Sequence, residues 1–214
     1  MTHILSCHSV IIEQITAKMN IIYRSAEEDD CLQIAELINI ASGGLLNFLF
    51  YDLTTQISPV QIVAQYLQED RSHYTYKNVL VAELKNEILG MILAYSSEFY
   101  GMTEDMKHFL PGDRLEHLEE MYYCKVSNSF FIDTLSVHEK YHKRGIGSTL
   151  MSLAYEKAIE SGFNTLSLIV FADNTNALSF YKKHGFQIVK KIKIDYHPLI
   201  PHQGGAYLMK CDIR

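Results

Sequence analysis

Tryptophan is absent from the 214 residues, proline occurs only four times, and no low-complexity tract interrupts the chain. With 48% hydrophobic and 21% charged residues, this describes one globular domain large enough to bury its own core. Four cysteines, Cys7, Cys31, Cys124 and Cys211, lie far apart and form no C-x-x-C pair. Two disulfides could be drawn between them, but a domain of this size does not need them, and reduced thiols in a cytoplasmic protein are expected. No excess of basic residues is present. The formal net charge is -6, which argues against a general nucleic-acid surface, leaves room for a local cationic pocket, and weakly favours a cationic or amine substrate. Neither a long apolar run nor a basic leader is present. The opening "MTHILSCHSVIIEQITAK" has no basic start and no continuous apolar stretch, so it reads as a short extension over 1–18 before a domain over 19–214.

The patterning predicts interleaved strands and helices. "MNIIYRSAEEDD" reads as a strand and an acidic helix start capped near Asp29 or Asp30, with Leu32, Ala35, Leu37 and Ile38 on its apolar face. Ser58-Pro59 is a helix start, with Ser as the cap and Pro at the first position. "NVLVAEL" and "ILGMILAYSSE" flank Lys85-Asn86-Glu87 as a hairpin. A helix is expected around Arg114–Met121, a strand at "SFFIDTLSV", and a helix after Gly147 with its stripe on Ile146, Leu150, Leu153, Ala154 and Ala158. "TLSLIVF" reads as a buried strand and "NTNALSFYKKHGF" as a short helix closed by Gly185. "QIVKKIKIDY" and "AYLMKCDI" then make two final strands. The expected fold class is α/β (α+β), a mixed central sheet flanked by helices.

"VHEKYHKRGIGSTL", Val137 to Leu150, carries two chemistries at once. His138-Glu139-Lys140-Tyr141-His142 spells H-E-x-x-H, which binds zinc when both histidines share one helix face. Gly145 extends the match, but Ser148 stands where a third histidine would be needed. The pentapeptide also follows a strand directly, and two glycines close to His142 disfavour the required helix, each by about 1 kcal/mol. Gly145-Ile146-Gly147 instead suits a strand-to-helix loop that cradles a phosphate. Residues without a Cβ let the backbone approach the anion, free N–H groups of the first helical turn bind it, and Lys143 and Arg144 add charge. G-x-x-x-x-G-K-[ST] is absent, and Leu150 breaks the spacing of a dinucleotide fingerprint. No metal is expected.

The segment from Ile132 to Lys190 resembles the core of the GNAT superfamily of acetyl-CoA-dependent N-acyltransferases. A strand with Leu135 and Val137 leads into an [RQ]-x-x-G-x-[GA]-like loop, and N-x-x-A-x-x-x-Y-x-x-x-G-F follows as Asn174, Ala177, Tyr181, Gly185 and Phe186. His142 stands where the family usually has Arg or Gln. The resemblance implies acetyl-CoA as co-substrate, with the backbone of Leu135, Ser136 and Val137 on the pantetheine arm. His142, Lys143, Arg144, Gly145, Ile146, Gly147 and Ser148 would surround the diphosphate. Asn174 and Ala177 would lie beside the coenzyme, and the Tyr181 hydroxyl near the sulfur as general acid. It further implies a primary-amine acceptor, in a small molecule or in a protein N-terminus or lysine. A non-catalytic acyl-CoA-binding module is the alternative from another class, and a homodimer follows family habit.

Tyr181 could instead simply pack on the sheet, and Asn174 is equally a helix cap. For the base, period-two alternation puts Asp133 on the face of Leu135 and Val137; Glu119, Glu120 and a water chain remain open. Acceptor choice is expected in residues 42–70, 99–128 and the "DYHPLIPHQGG" loop, where Tyr196, His197 and His202 offer hydrogen bonds.

Overall fold

The computed structural model describes residues 20–53, 56–69 and 71–213. The expected extension over 1–18, with Cys7, lies outside the described residues. Strands form where the sequence alternates or runs apolar: β1 (Ile22–Ser25), β2 (Val79–Leu84), β3 (Glu87–Ser96), β4 (Phe130–Val137), β5 (Thr165–Phe171), β6 (Gln187–Ile192) and β7 (Ala206–Asp212). They build one sheet in the order β1-β2-β3-β4-β5-β7-β6. Strands β4 and β5 pair in parallel and the other neighbours antiparallel, so the sheet is mixed as expected. Lys85 and Asn86 close the β2–β3 hairpin with φ of 53° and 65°, a left-handed pair that matches the twist of the strands.

The helices are α1 (Cys31–Ala41), α2 (Leu45–Phe50), α3 (Pro59–Gln68), α4 (Glu104–Phe109), α5 (Gly112–His117), α6 (Glu119–Tyr123), α7 (Ile146–Glu160) and α8 (Thr175–Lys183). At the start of α3, the Ser58 hydroxyl accepts from Gln61 N at 3.2 Å and Gln61 Oε1 accepts from Ser58 N at 2.8 Å, a reciprocal cap. One sheet face packs α7 and α8 over Ile92, Phe130, Ile132, Leu168 and Met209. The opposite face packs α1 and α3 over Val81, Met91, Tyr95 and Phe131, with a further cluster around Phe48, Leu118, Met121 and Leu208.

Three local expectations need correcting. No single helix spans Arg114–Met121. The chain turns at Leu118, whose φ of -105° and ψ of 8° leave the helical range while its side chain is fully buried, so tertiary burial divides the segment into α5 and α6. Leu32 is 51% exposed, because the buried stripe of α1 runs through Cys31, Ile34, Ala35, Leu37 and Ile38. On α7 the buried face takes Met151, while Leu153 is only half-buried.

Candidate active site

The parallel pairing of β4 and β5 extends only from Phe130↔Leu166 to Ile132↔Leu168, although β4 continues to Val137 and β5 to Phe171. Beyond Ile132 the two strands share no hydrogen bond, and a wedge opens in the middle of the sheet. Its closed end is held by a buried bond between the Ser129 and Ser167 hydroxyls at 2.6 Å. Along the open part, β4 is still paired with β3, and His138 N donates to Leu89 O at 2.8 Å. Backbone groups alternate sides along a strand, so those of Leu135 and Val137 point away from β3 and into the gap. A wedge lined by backbone groups that no neighbouring strand pairs can hold an amide-bearing chain as an added strand, although Val137 O is already bonded by the His142 ring at 2.7 Å.

At the mouth of the wedge, β4 passes through a 3-10 turn (Glu139–Tyr141) into α7. Lys143 and Gly145 take φ of 61° and 84°, which aims the loop at the start of the helix. The backbone N–H groups of Lys143, Gly145, Ile146, Gly147 and Ser148 meet no carbonyl among the described residues. Five such donors at the positive end of a 15-residue helix suit an anion chemically. A Cβ on Gly145 would have nothing within 4 Å, so that glycine serves its backbone angle; on Gly147 it would stand 3.6 Å from Phe180 and 3.7 Å from Val137. Lys140 pairs with Glu87, which also accepts from Tyr141 Oη at 3.1 Å, so the loop is fastened to the β2–β3 hairpin.

His142 has a defined task here: its Nε2 bonds to Val137 O at 2.7 Å and ties the loop back to β4. The H-E-x-x-H residues therefore lie in a 3-10 turn and not on an α-helix. The helix face that a zinc pair at this spacing requires is missing.

Strand β4 carries a bulge where the wedge opens. Leu93 faces Thr134 but Ala94 faces Ile132, so Asp133 is the extra residue. Here the expected alternation fails. Ile132, Leu135 and Val137 all belong to the α7 face, whereas Asp133 turns to the opposite face with Phe131. Its Oδ2 accepts from Tyr95 Oη at 2.6 Å and its Oδ1 from Thr134 Oγ1 at 3.0 Å. Burial raises its pKa from the usual carboxylate value, against these two bonds, and no cation among the described residues counters it. Tyr74, Tyr95, Tyr100 and Tyr122 surround the group; burial, with the charge of Asp133 added, pushes each hydroxyl up. A search for acids, bases and metal ligands passes over these four tyrosines. Their one signal is the number of tyrosines, 14, in a chain without tryptophan.

Tyr181 lies on α8, on the other side of the sheet, 9% exposed and packed edge-on against Phe180 and Phe186. Burial pushes its hydroxyl up to about 12. Asn174 caps α8, with Oδ1 accepting from Ala177 N at 3.1 Å. The hydroxyl of Ser148 reaches His184 Nε2 at 3.2 Å, which links the anion loop to the end of α8.

Glu119 is exposed at the start of α6. Glu120 is engaged elsewhere: it pairs with Lys190 at 3.0 Å and accepts from Lys193 N at 3.0 Å, and these contacts lower its pKa. In the last loop, His202 bonds Asp173 at 2.6 Å and stacks on Phe171, while Tyr196 is 72% exposed.

The sequence profile of the Acetyltransferase (GNAT) family matches residues 47–186, most of the length of the chain, and the chain belongs to that family. It is 29% identical over 65 residues to L-ornithine N5-acetyltransferase NATA1 of Arabidopsis thaliana, covering 30% of this chain and 28% of that protein. It is 42% identical over 60 residues to a mycothiol acetyltransferase of Jonesia denitrificans, covering 28% and 19%. The matched stretch thus spans less than a third of either relative. An N-acetyltransferase structure from Staphylococcus aureus Mu50 superposes with a TM-score of 0.67 at 18% identity, over 88% of this chain and 99% of that one, a likeness of fold. Among the described residues no helix is long and apolar enough to cross a membrane.

Proposed function

We propose that this protein transfers the acetyl group of acetyl-CoA to a primary amine of a small molecule by direct attack. One observation carries this reading. The wedge between β4 and β5 opens through the sheet, with the protonated Tyr181 on one face and Asp133, a carboxyl that no described cation pairs, on the other. A thioester held in the gap would be reached by an acid from one side and by an amine from the other.

In this mechanism the backbone of Leu135 and Val137 holds the pantetheine arm, while that of the intervening Ser136 stays paired with Met91 on β3, and the loop from His142 to Ser148 holds the diphosphate. An alkylamine of lysine type has a pKa of about 10.4 and arrives as an ammonium ion. Asp133 is the group that attracts it and takes its proton; the raised pKa brings the carboxylate closer to that task. The freed nitrogen attacks the thioester carbon, a C–N bond forms, and the carbonyl electron pair moves to oxygen. When that pair returns, the C–S bond breaks and the thiolate takes a proton from Tyr181. A second proton leaves the nitrogen and restores the tyrosine through solvent. Glu119 is the weaker choice for the base, because it is exposed to solvent at the start of α6.

The test has two readouts. Calorimetric titration with coenzyme A is expected to give saturable one-to-one binding by wild type and by Tyr181→Phe. In an acetyl-transfer assay, kcat of the Phe variant is expected to fall by about 10²-fold. Wild-type protein that is folded but does not bind coenzyme A would remove the whole proposal. Undiminished kcat in the variant at every pH would remove the acid role alone.

A further inference from the structure

Asp133 is the inner end of a longer acidic and aromatic track. Tyr95 contributes from β3, Tyr74 from the segment before β2, Tyr100 and Tyr122 from the chain between β3 and β4. Tyr100 lies against Phe131, ring centroids 4.1 Å apart, with its hydroxyl donating to Met121 O at 3.1 Å, so this wall is held from two sides. The track continues outward: the Tyr66 ring stands 6.2 Å from the Tyr74 ring, and Tyr66 Oη reaches Asp105 Oδ2 at 3.4 Å. Helix α3 thereby meets α4 at the outer end. Asp105 is exposed and, unlike its neighbour Glu104, which pairs with Lys107 at 2.7 Å, no described cation pairs with it.

The side chains from Asp133 through Tyr74 and Tyr66 to Asp105 have one sign, and the cation beside this wall, Lys125, is turned to the carbonyl of Tyr100 at 3.4 Å. Tyrosine faces attract cations and their hydroxyls stay protonated, while carboxylates stand at the inner and the outer end. No lysine, arginine or histidine is among the groups that act on Asp133, Tyr74 or Tyr95. An anionic group brought beside Asp133 would meet a like charge and would lose its hydration. A second ammonium ion would find both tyrosine rings and Asp105.

Resting on the acetyl-transfer reading above, we propose that the acceptor is an elongated amine with two cationic nitrogens and no carboxylate near them, one nitrogen at Asp133 and the other between Tyr66 and Asp105. Asp105 and Tyr66 are then specificity-determining residues. They set which amine binds and do not take part in the transfer itself.

The experiment compares 1-butylamine, 1,4-diaminobutane, its longer diamine homologues and ornithine, which adds an α-carboxylate to the four-carbon diamine. Steady-state acetyl transfer is followed in wild type, Asp105→Asn and Tyr66→Phe, with coenzyme A binding measured separately by calorimetry. At least one diamine is expected to exceed 1-butylamine in kcat/KM, and ornithine to fall below 1,4-diaminobutane by about tenfold or more. In Asp105→Asn the diamine-to-monoamine ratio is expected to drop about two- to fivefold through KM, the range of an exposed ion pair. Ornithine used better than the diamine, or a ratio unmoved in both variants, would overturn this assignment. So would coenzyme A binding without transfer to any diamine, which leaves the cofactor site standing. Absence of coenzyme A binding would instead strike at the acetyl-transfer reading.

Discussion

At the residue scale, Asp133 shows how one inserted position changes a site. Its carboxyl is buried, hydrogen-bonded by Tyr95 and Thr134, and raised in pKa by burial. A carboxyl raised in the fold is disfavoured there when ionised. It therefore costs nothing below the ordinary carboxylate range and lowers stability as pH climbs through its own raised value. Asp133→Asn keeps an oxygen for the Tyr95 hydroxyl and removes the charge. Its melting temperature is expected to equal or exceed that of wild type at about pH 8, with the difference vanishing near pH 4, while acetyl transfer falls by about 10²-fold or more. Thermal melts at the two pH values check this, and a lower melting temperature at the higher pH would mean that the carboxylate is well paired after all. His142 is the second residue of this kind. It departs from the family's Arg or Gln, yet its bond to Val137 O keeps the loop anchored to β4.

The element scale separates the two glycines of the anion loop. Gly145 has φ of 84° and open space where a Cβ would lie, whereas Gly147 begins a helix and meets only ordinary contacts at 3.6 Å and beyond. Gly145→Ala is thus expected to lose about 1–2 kcal/mol of stability from the left-handed angle alone. Gly147→Ala is expected to hold or raise stability, since alanine is the better helix former by about 1 kcal/mol. Both should weaken coenzyme A binding. Urea denaturation beside calorimetry distinguishes stability from binding, and equal stability losses would contradict the division. This loop, the Ser58 cap and the Asn174 cap were legible in the sequence because each depends on residues within a few positions of one another. The segment of α4 to α6 was not legible as three helices. The break between α4 and α5 falls at Leu110-Pro111, and that between α5 and α6 goes with the burial of Leu118 in a cluster that includes the distant residues Phe48 and Leu208.

On the scale of the whole molecule, the net charge of -6 should draw a cationic acceptor towards the tyrosine track from a distance. Raising ionic strength from about 0.05 to 0.5 M is expected to raise KM for a diamine severalfold while kcat stays nearly constant, because salt screens long-range attraction but not the chemistry in the wedge. A KM indifferent to salt would mean that short contacts alone select the acceptor.

What the sequence determined by itself is the mixed α/β order of elements, the glycine loop between β4 and α7, and the spaced Asn174, Ala177 and Tyr181. The first two follow from local periodicity, turn chemistry and capping, and the third is the spacing that carries the family resemblance. What the tertiary structure alone decided is the place where β4 and β5 part, the bulge that turns Asp133 to the face opposite Leu135 and Val137, and the gathering of Tyr66, Tyr74, Tyr95, Tyr100 and Tyr122 from separate parts of the chain. The reason is physical. Strand register and the burial of a carboxylate are settled by partners many residues away, and no periodicity within a strand contains them.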